Sequence, residues 1–173
     1  MNYHLRIHLE CTDTCQDGLP EAITRTLSRY KVSIAGFAET RIPGSGESNL
    51  EGFTMIHSVG EDRTKVVTFL LDQNIIHILL SWCPVSSRFL LERLKHKHRH
   101  LIITVAYALT EEASNTDKDS FYSQLELLIN STPPHDQLLA MGDFNAVTGT
   151  DRTTYIGCCG RFGRGTSLYR DQS

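Results

Sequence analysis

The chain has 173 residues, with 17 basic and 20 acidic side chains and a formal net charge of −3. That length suffices for one domain with a real core, and the charge excludes a protein that holds nucleic acid through bulk positive charge. No apolar run is long enough to cross a membrane, no signal-peptide core opens the chain, and the five cysteines show neither zinc spacing nor a secretory disulfide pattern, so intracellular residence (nuclear or cytoplasmic) is expected.

Residues 1–19 carry an extended-looking patch without a recognisable motif. Pro20 to Tyr30 predicts a short helix with Ile23, Leu27 and Tyr30 on one face, its proline suited to the first turn, where no N–H is needed. Val32 to Ala38 is an apolar strand that ends in Glu39-Thr40-Arg41. A carboxylate delivered there suits an active-site rim, and a solvated strand end paired with Arg41 is the plainer alternative. Pro43, Gly44, Gly46 and Gly52 mark a loop of the kind that shapes a substrate cleft. Strands are expected near 53–57, 65–71, 76–82, 88–94 and 101–107.

The segment RFLLERLKHKHRH sets Arg88, Arg93, Lys95, Lys97 and Arg99 against Glu92 alone, which offers a weak phosphate-backbone contact through Arg88, Lys95 and Lys97. His96, His98 and His100 alternate and would share one face of a strand, as metal ligands can. A solvated hairpin tip between 88–94 and 101–107 is the favoured explanation for them. In LIITVAYA the odd positions Leu101, Ile103, Val105 and Tyr107 share a face. Tyr107 can cap the core with its ring or offer its hydroxyl to a phosphate at the sheet edge. Asp117 to Asn130 predicts a helix packed through Phe121, Leu125 and Leu128 and ended by Pro133-Pro134.

Strand 137–141 then climbs through Leu138, Leu139, Ala140 and Met141 into Gly142-Asp143-Phe144-Asn145. On an extended backbone Asp143 and Asn145 point to one side and Phe144 to the other, towards the core. Such an edge can hold a hard divalent cation through Asp143 and a phosphate oxygen through Asn145, although Gly-Asp at a strand end also makes an ordinary turn. From Thr150 onward the Gly-rich, polar composition reads as loop.

The ordered set AETR, VAYALT and GDFNAVTG resembles the endonuclease/exonuclease/phosphatase superfamily. It looks closest to the apurinic-endonuclease-like domain of LINE-type (non-LTR) retrotransposons and to the craniofacial development protein 2 group that shares it. The likeness runs nearly continuously from about Val32 to Thr166. It implies an α/β fold, a two-layer β-sandwich flanked by helices, and a magnesium-dependent phosphodiester hydrolase (manganese could substitute) acting as an endonuclease on DNA. Glu39 takes the place of the magnesium ligand. Tyr107 matches the tyrosine that contacts the scissile phosphate. Asp143 and Asn145 match the pair that activates water or protonates the leaving group and holds the phosphate. A monomer without membrane contact is implied.

Departures accompany the likeness. Residues 1–19 lack the WN-type asparagine of the family's first strand, and no SDH-type Asp-His pair lies between GDFN and Ser173. Leu109 stands where the family usually has proline, and EDRTKVVTFLL lacks the glycines of the corresponding strand. The expectation is a divergent segment 1–19, a partial domain 20–166 incomplete at both ends, and a tail 167–173, with uncovered apolar edges that limit solubility and weak or absent activity. The rival reading is a non-catalytic remnant serving as an interaction or nucleic-acid-binding module.

Overall fold

The computed structural model describes residues 19–42, 44–58 and 66–145. The elements run α1 (Leu19–Arg29), β1 (Ile34–Phe37), β2 (Gly46–Leu50), β3 (Phe53–His57), β4 (Thr68–Asp72), a 3-10 turn (Ile76–Ile78), β5 (Leu79–Ser86), β6 (Phe89–Leu94), β7 (Leu101–Tyr107), α2 (Asn115–Ser131) and β8 (Gln137–Asp143). They form two four-stranded sheets, ordered β1-β4-β3-β2 and β5-β6-β7-β8. Every strand pair is antiparallel except β7 with β8, which α2 connects as a crossover between parallel neighbours.

The sheets pack face to face. Ile34, Ile56, Phe69 and Leu71 of the first meet Leu90, Leu94, Ile103, Val105 and Met141 of the second in one buried cluster. The outer face of the first sheet is closed by α1, whose Leu27 and Ile23 pack with Phe37, Phe53 and Leu70. The outer face of the second is closed by α2 through Phe121, which stacks on Phe89 with ring centroids 4.7 Å apart. Four layers result, helix–sheet–sheet–helix. Strands covered on both faces need apolar residues at successive positions, which is why 34–37 reads as an apolar run and 102–107 as one interrupted only at Thr104.

Two segments depart from the expectation. The stretch after Glu39 is not all loop, because Gly46–Leu50 pairs with β3 through a tight turn at Glu51-Gly52. Its GESNL side chains lie mostly exposed on a sheet edge, so backbone hydrogen bonds hold it and no apolar pattern announces it. The run around 76–82 is also shifted. Ile75 and Ile78 plug the core from the 3-10 turn, and the strand proper continues to Ser86 as an edge whose burial alternates.

α2 begins two residues earlier than its apolar pattern, because Ser114 caps it: the Ser114 hydroxyl accepts from the Asp117 N–H at 3.1 Å. Ser114→Ala should therefore cost about 1 kcal/mol, visible as a lowered denaturation midpoint with an unchanged denaturant slope. No helix among the described residues is long and apolar enough to cross a membrane.

Candidate active site

The sheets approach closely where β1 faces β7 and β8. Gly36 permits this, since a Cβ there would stand 2.9 Å from the Val105 side chain. Beyond that contact β1 ends and the chain kinks. Glu39 and Arg41 adopt positive φ, 58° and 53°, a left-handed conformation that costs a non-glycine residue about 1 kcal/mol. Thr40, buried between them, anchors the kink: its N–H donates to the Val66 carbonyl at 3.1 Å and its hydroxyl lies 2.6 Å from that of Thr68. With Thr40 pinned inward, Glu39 is presented to the opposite sheet.

There it meets Tyr107. The Tyr107 hydroxyl donates to Glu39 Oε1, a contact between sheets and between residues 68 positions apart. Asp143 is the register partner of Tyr107 across the parallel pair, one step beyond Ala106 and Gly142. Gly142 has φ 137°, and a Cβ on it would fall 1.9 Å from the Ala106 carbonyl oxygen. The glycine of GDFN is therefore what lets β8 close on β7 at this end and carry Asp143 alongside Tyr107.

The turn after Asp143 is held by the two residues that gave the motif its interest. The Asn145 backbone N–H donates to Asp143 Oδ1 at 2.8 Å, and the Asn145 side-chain amide donates to the Ala108 carbonyl at 2.9 Å. The Ala108 N–H returns a bond to the Asp143 carbonyl at 2.8 Å. Asn145 itself has φ 45°, a conformation asparagine tolerates better than most residues. Phe144 packs against the cluster under α2, as its opposite direction along the chain predicts.

Arg88 completes the group. One guanidinium nitrogen, Nη1, donates to the Tyr107 carbonyl at 2.9 Å and to the Ala108 carbonyl at 3.2 Å, and Cζ lies 5.1 Å from the Tyr107 ring centre. Glu39, Arg41, Arg88 and Tyr107 line a cleft of about 410 Å³ closed by the segment Ala108 to Ala113. Burial, together with the hydrogen bond to Glu39 and the negative charges of Glu39 and Asp143, pushes the Tyr107 hydroxyl up to about 12, against the opposing charge of Arg88. Tyr107 is thus a neutral donor throughout the physiological range.

The structure brings Glu39, Tyr107, Asp143, Asn145 and Arg88 to one end of the sandwich. Lys95 and Lys97 lie elsewhere. Strand β6 runs antiparallel to β7 with Phe89 opposite Ala106 and Leu94 opposite Leu101, so the lysines follow its far end, roughly 20 Å from Arg88 at strand spacing. They occupy an exposed hairpin connection and make no common patch with Arg88. The alternating histidines sit in the same connection, outside any strand. Among the described residues no three His, Cys, Asp or Glu side chains group to hold a metal ion.

The donor set at the cleft still fits magnesium. That ion keeps several waters and is commonly held by one or two carboxylates plus substrate oxygens, so it needs no three-ligand cage. Glu39, which lines the cleft and accepts from Tyr107, supplies one such carboxylate, and Asp143 stands in register with that tyrosine on the other sheet. Reading the residues alone left out the bracket Arg88 makes on the β7 exit. A cation placed directly before a strand antiparallel to the tyrosine strand is the only signal that could have suggested it.

No protein-family model matches the chain. It is 27% identical to craniofacial development protein 2 of Bos taurus over 150 residues, covering 86% of this chain and 25% of that protein. The counterpart in Tragulus javanicus is 26% identical over the same span, so the chain covers about a quarter of these curated relatives. Among solved structures it superposes on the endonuclease domain of TRAS1, a telomere-specific non-LTR retrotransposon, with TM-score 0.57 at 15% identity, over 79% of this chain and 59% of that one. ANGEL2, a 2',3'-cyclic phosphatase, gives 0.56 at 14% identity, over 79% and 46%. D. rerio TDP2 complexed with a single-strand DNA product gives 0.53 at 10%, over 73% and 53%. The chain has the endonuclease/exonuclease/phosphatase fold and is a distant homologue of craniofacial development protein 2.

Proposed function

We propose that this chain forms the catalytic face of a magnesium-dependent phosphodiester hydrolase that acts on DNA as an endonuclease. One observation carries the reading: the hydroxyl of Tyr107 bridges to Glu39 across the two sheets while Asp143 stands in register with that same tyrosine. A phenol between a carboxylate on each sheet is the donor set that a metal-bound phosphate calls for. The names of two structural neighbours, a retrotransposon endonuclease domain and a protein captured with a DNA product, favour DNA over other phosphoesters.

Glu39 would hold the magnesium ion, which when bound neutralises charge developing on the phosphate oxygens. Tyr107, kept protonated by its surroundings, gives its single O–H to Glu39 in the free chain and would turn it to a non-bridging phosphate oxygen once magnesium takes the Glu39 carboxylate. The Asn145 N–H occupies Oδ1 of Asp143, which leaves Oδ2 as the oxygen that takes a proton from the attacking water or returns one to the leaving oxygen. Asn145 binds the Ala108 carbonyl through its amide nitrogen, so it orients this assembly as well as any phosphate it meets.

The test combines magnesium titration by calorimetry with nicking of supercoiled plasmid. Glu39→Gln should weaken magnesium binding at least tenfold, and Asp143→Ala should leave binding detectable while lowering nicking by about a hundredfold. Wild type and Glu39→Gln binding magnesium identically would remove the metal site. Nicking that survives in Asp143→Ala would remove the proton-transfer role. A chain that binds DNA but nicks nothing would be a binding module.

A further inference from the structure

We infer that Arg88 is a positioning residue of this site, holding the exit of β7 so that the Tyr107 hydroxyl stays on Glu39. The inference rests on the proposed function for its catalytic consequence, and on geometry alone for the bracket itself. The β6–β7 ladder ends at Phe89 opposite Ala106, so the carbonyls of Tyr107 and Ala108 lie past the last paired residue of β6. Arg88 supplies by side chain what a longer β6 would supply by backbone: Nη1 donates to both carbonyls, at 2.9 and 3.2 Å. Its own carbonyl accepts from the Tyr107 N–H at 3.0 Å, so the two residues are tied in both directions.

From the other side, Asn145 donates to the same Ala108 carbonyl at 2.9 Å, and the Asp143 carbonyl accepts from the Ala108 N–H at 2.8 Å. A carbonyl oxygen has two lone pairs, and at Ala108 each is used, one towards β6 and one towards β8. The guanidinium also lies over the Tyr107 ring, which restricts the ring that carries the hydroxyl. Nη1 carries two N–H bonds, one for each carbonyl, and the rigid guanidinium plane fixes their directions while Cζ lies over the ring. A lysine ammonium has enough donors, but its flexible stem does not fix their directions, so it holds the bracket less firmly.

This assignment differs from a phosphate contact in what it predicts. The full chain would be compared with Arg88→Gln and Arg88→Lys by thermal melt, by NMR of ring-labelled tyrosine with Tyr107 assigned through Tyr107→Phe, and by affinity for a fluorescein-labelled DNA duplex in EDTA over a salt series. Both variants should melt cooperatively, move the Tyr107 ring signals, and keep duplex affinity and its salt slope within about twofold. Where wild type nicks plasmid, both should lower kcat by about tenfold or more with KM nearly unchanged. Arg88→Lys is the milder variant and carries the comparison if Arg88→Gln does not fold.

Wild-type Tyr107 signals in Arg88→Lys would overturn the bracket, because charge alone would then suffice. A salt slope reduced by about one with unmoved Tyr107 signals would make Arg88 a phosphate contact instead. Absence of nicking by wild type would sink the proposed activity and leave the ring signals to decide the role of Arg88.

Discussion

Glu92→Leu should make the protein more stable, by about 3 kcal/mol at pH 7 and less at pH 4. Glu92 is fully buried on β6 between Leu90 and Leu94, the inward-facing residues of that strand, with Trp82 and Ile103 as its register partners. Neither carboxyl oxygen has a hydrogen-bond partner among the described residues. Burial therefore holds this carboxyl well above its ordinary value of 4.5, so it keeps its proton where an unfolded glutamate has lost it. The unfolded state binds fewer protons in that window, so native stability falls as pH rises from about 4.5 towards the raised value.

Leucine has nothing to titrate and nothing to leave unpaired. At about 2–4 °C per kcal/mol for a chain of this size, the melting temperature should rise by roughly 6–12 °C at neutral pH. Glu92→Gln separates the two contributions, since it removes the pH slope and keeps an unpaired polar group. A melting difference between wild type and Glu92→Leu that is the same at pH 4 and pH 8 would show that the side chain finds a charged partner in solution. A less stable leucine variant would show the same more bluntly.

Gly142→Ala should act in the opposite direction and more severely, costing about 4 kcal/mol or abolishing the fold. The added methyl would sit 1.9 Å from the Ala106 carbonyl oxygen and 2.8 Å from its carbon, on a residue whose φ is 137°. Both atoms are backbone in a central, fully buried strand, so no side-chain rotation relieves the clash. The ladder between β7 and β8 would have to open where Tyr107 pairs with Asp143. A variant that still folds should lose the Tyr107–Asp143 register, seen as loss of slowly exchanging amides from Val105 to Ala108. Wild-type stability in Gly142→Ala would mean that the strands approach less closely than described.

These two residues mark the limit of what can be read from the chain. Glu92 lies in a run of arginines, lysines and histidines and looks like one more surface charge, yet its parity with Leu90 and Leu94 turns it into the sandwich. Gly142 looks like a turn residue because Gly-Asp usually is one. Its place depends on the distance between two backbones that only pairing establishes. Glu39, Tyr107 and Asp143 were legible as strand-end residues of the right chemistry, each with an ordinary alternative. Lys95 and Lys97 were legible as basic residues near Arg88 in the chain, and a strand six residues long carries them to the other end of the sheet.

The apolar runs made most strands and both helices legible by themselves, while the sandwich came from the resemblance they support. Strands buried on both faces must be apolar at successive positions, and helices that cover them must carry one apolar stripe, so 34–37, 101–107 and α2 were visible locally. β2 was not, because an exposed edge strand is held by backbone hydrogen bonds that carry no side-chain signature. The site belongs to the tertiary structure for a related reason. A hydrogen bond between residues 68 positions apart depends on how two sheets stack, and stacking is a property of the packed core as a whole.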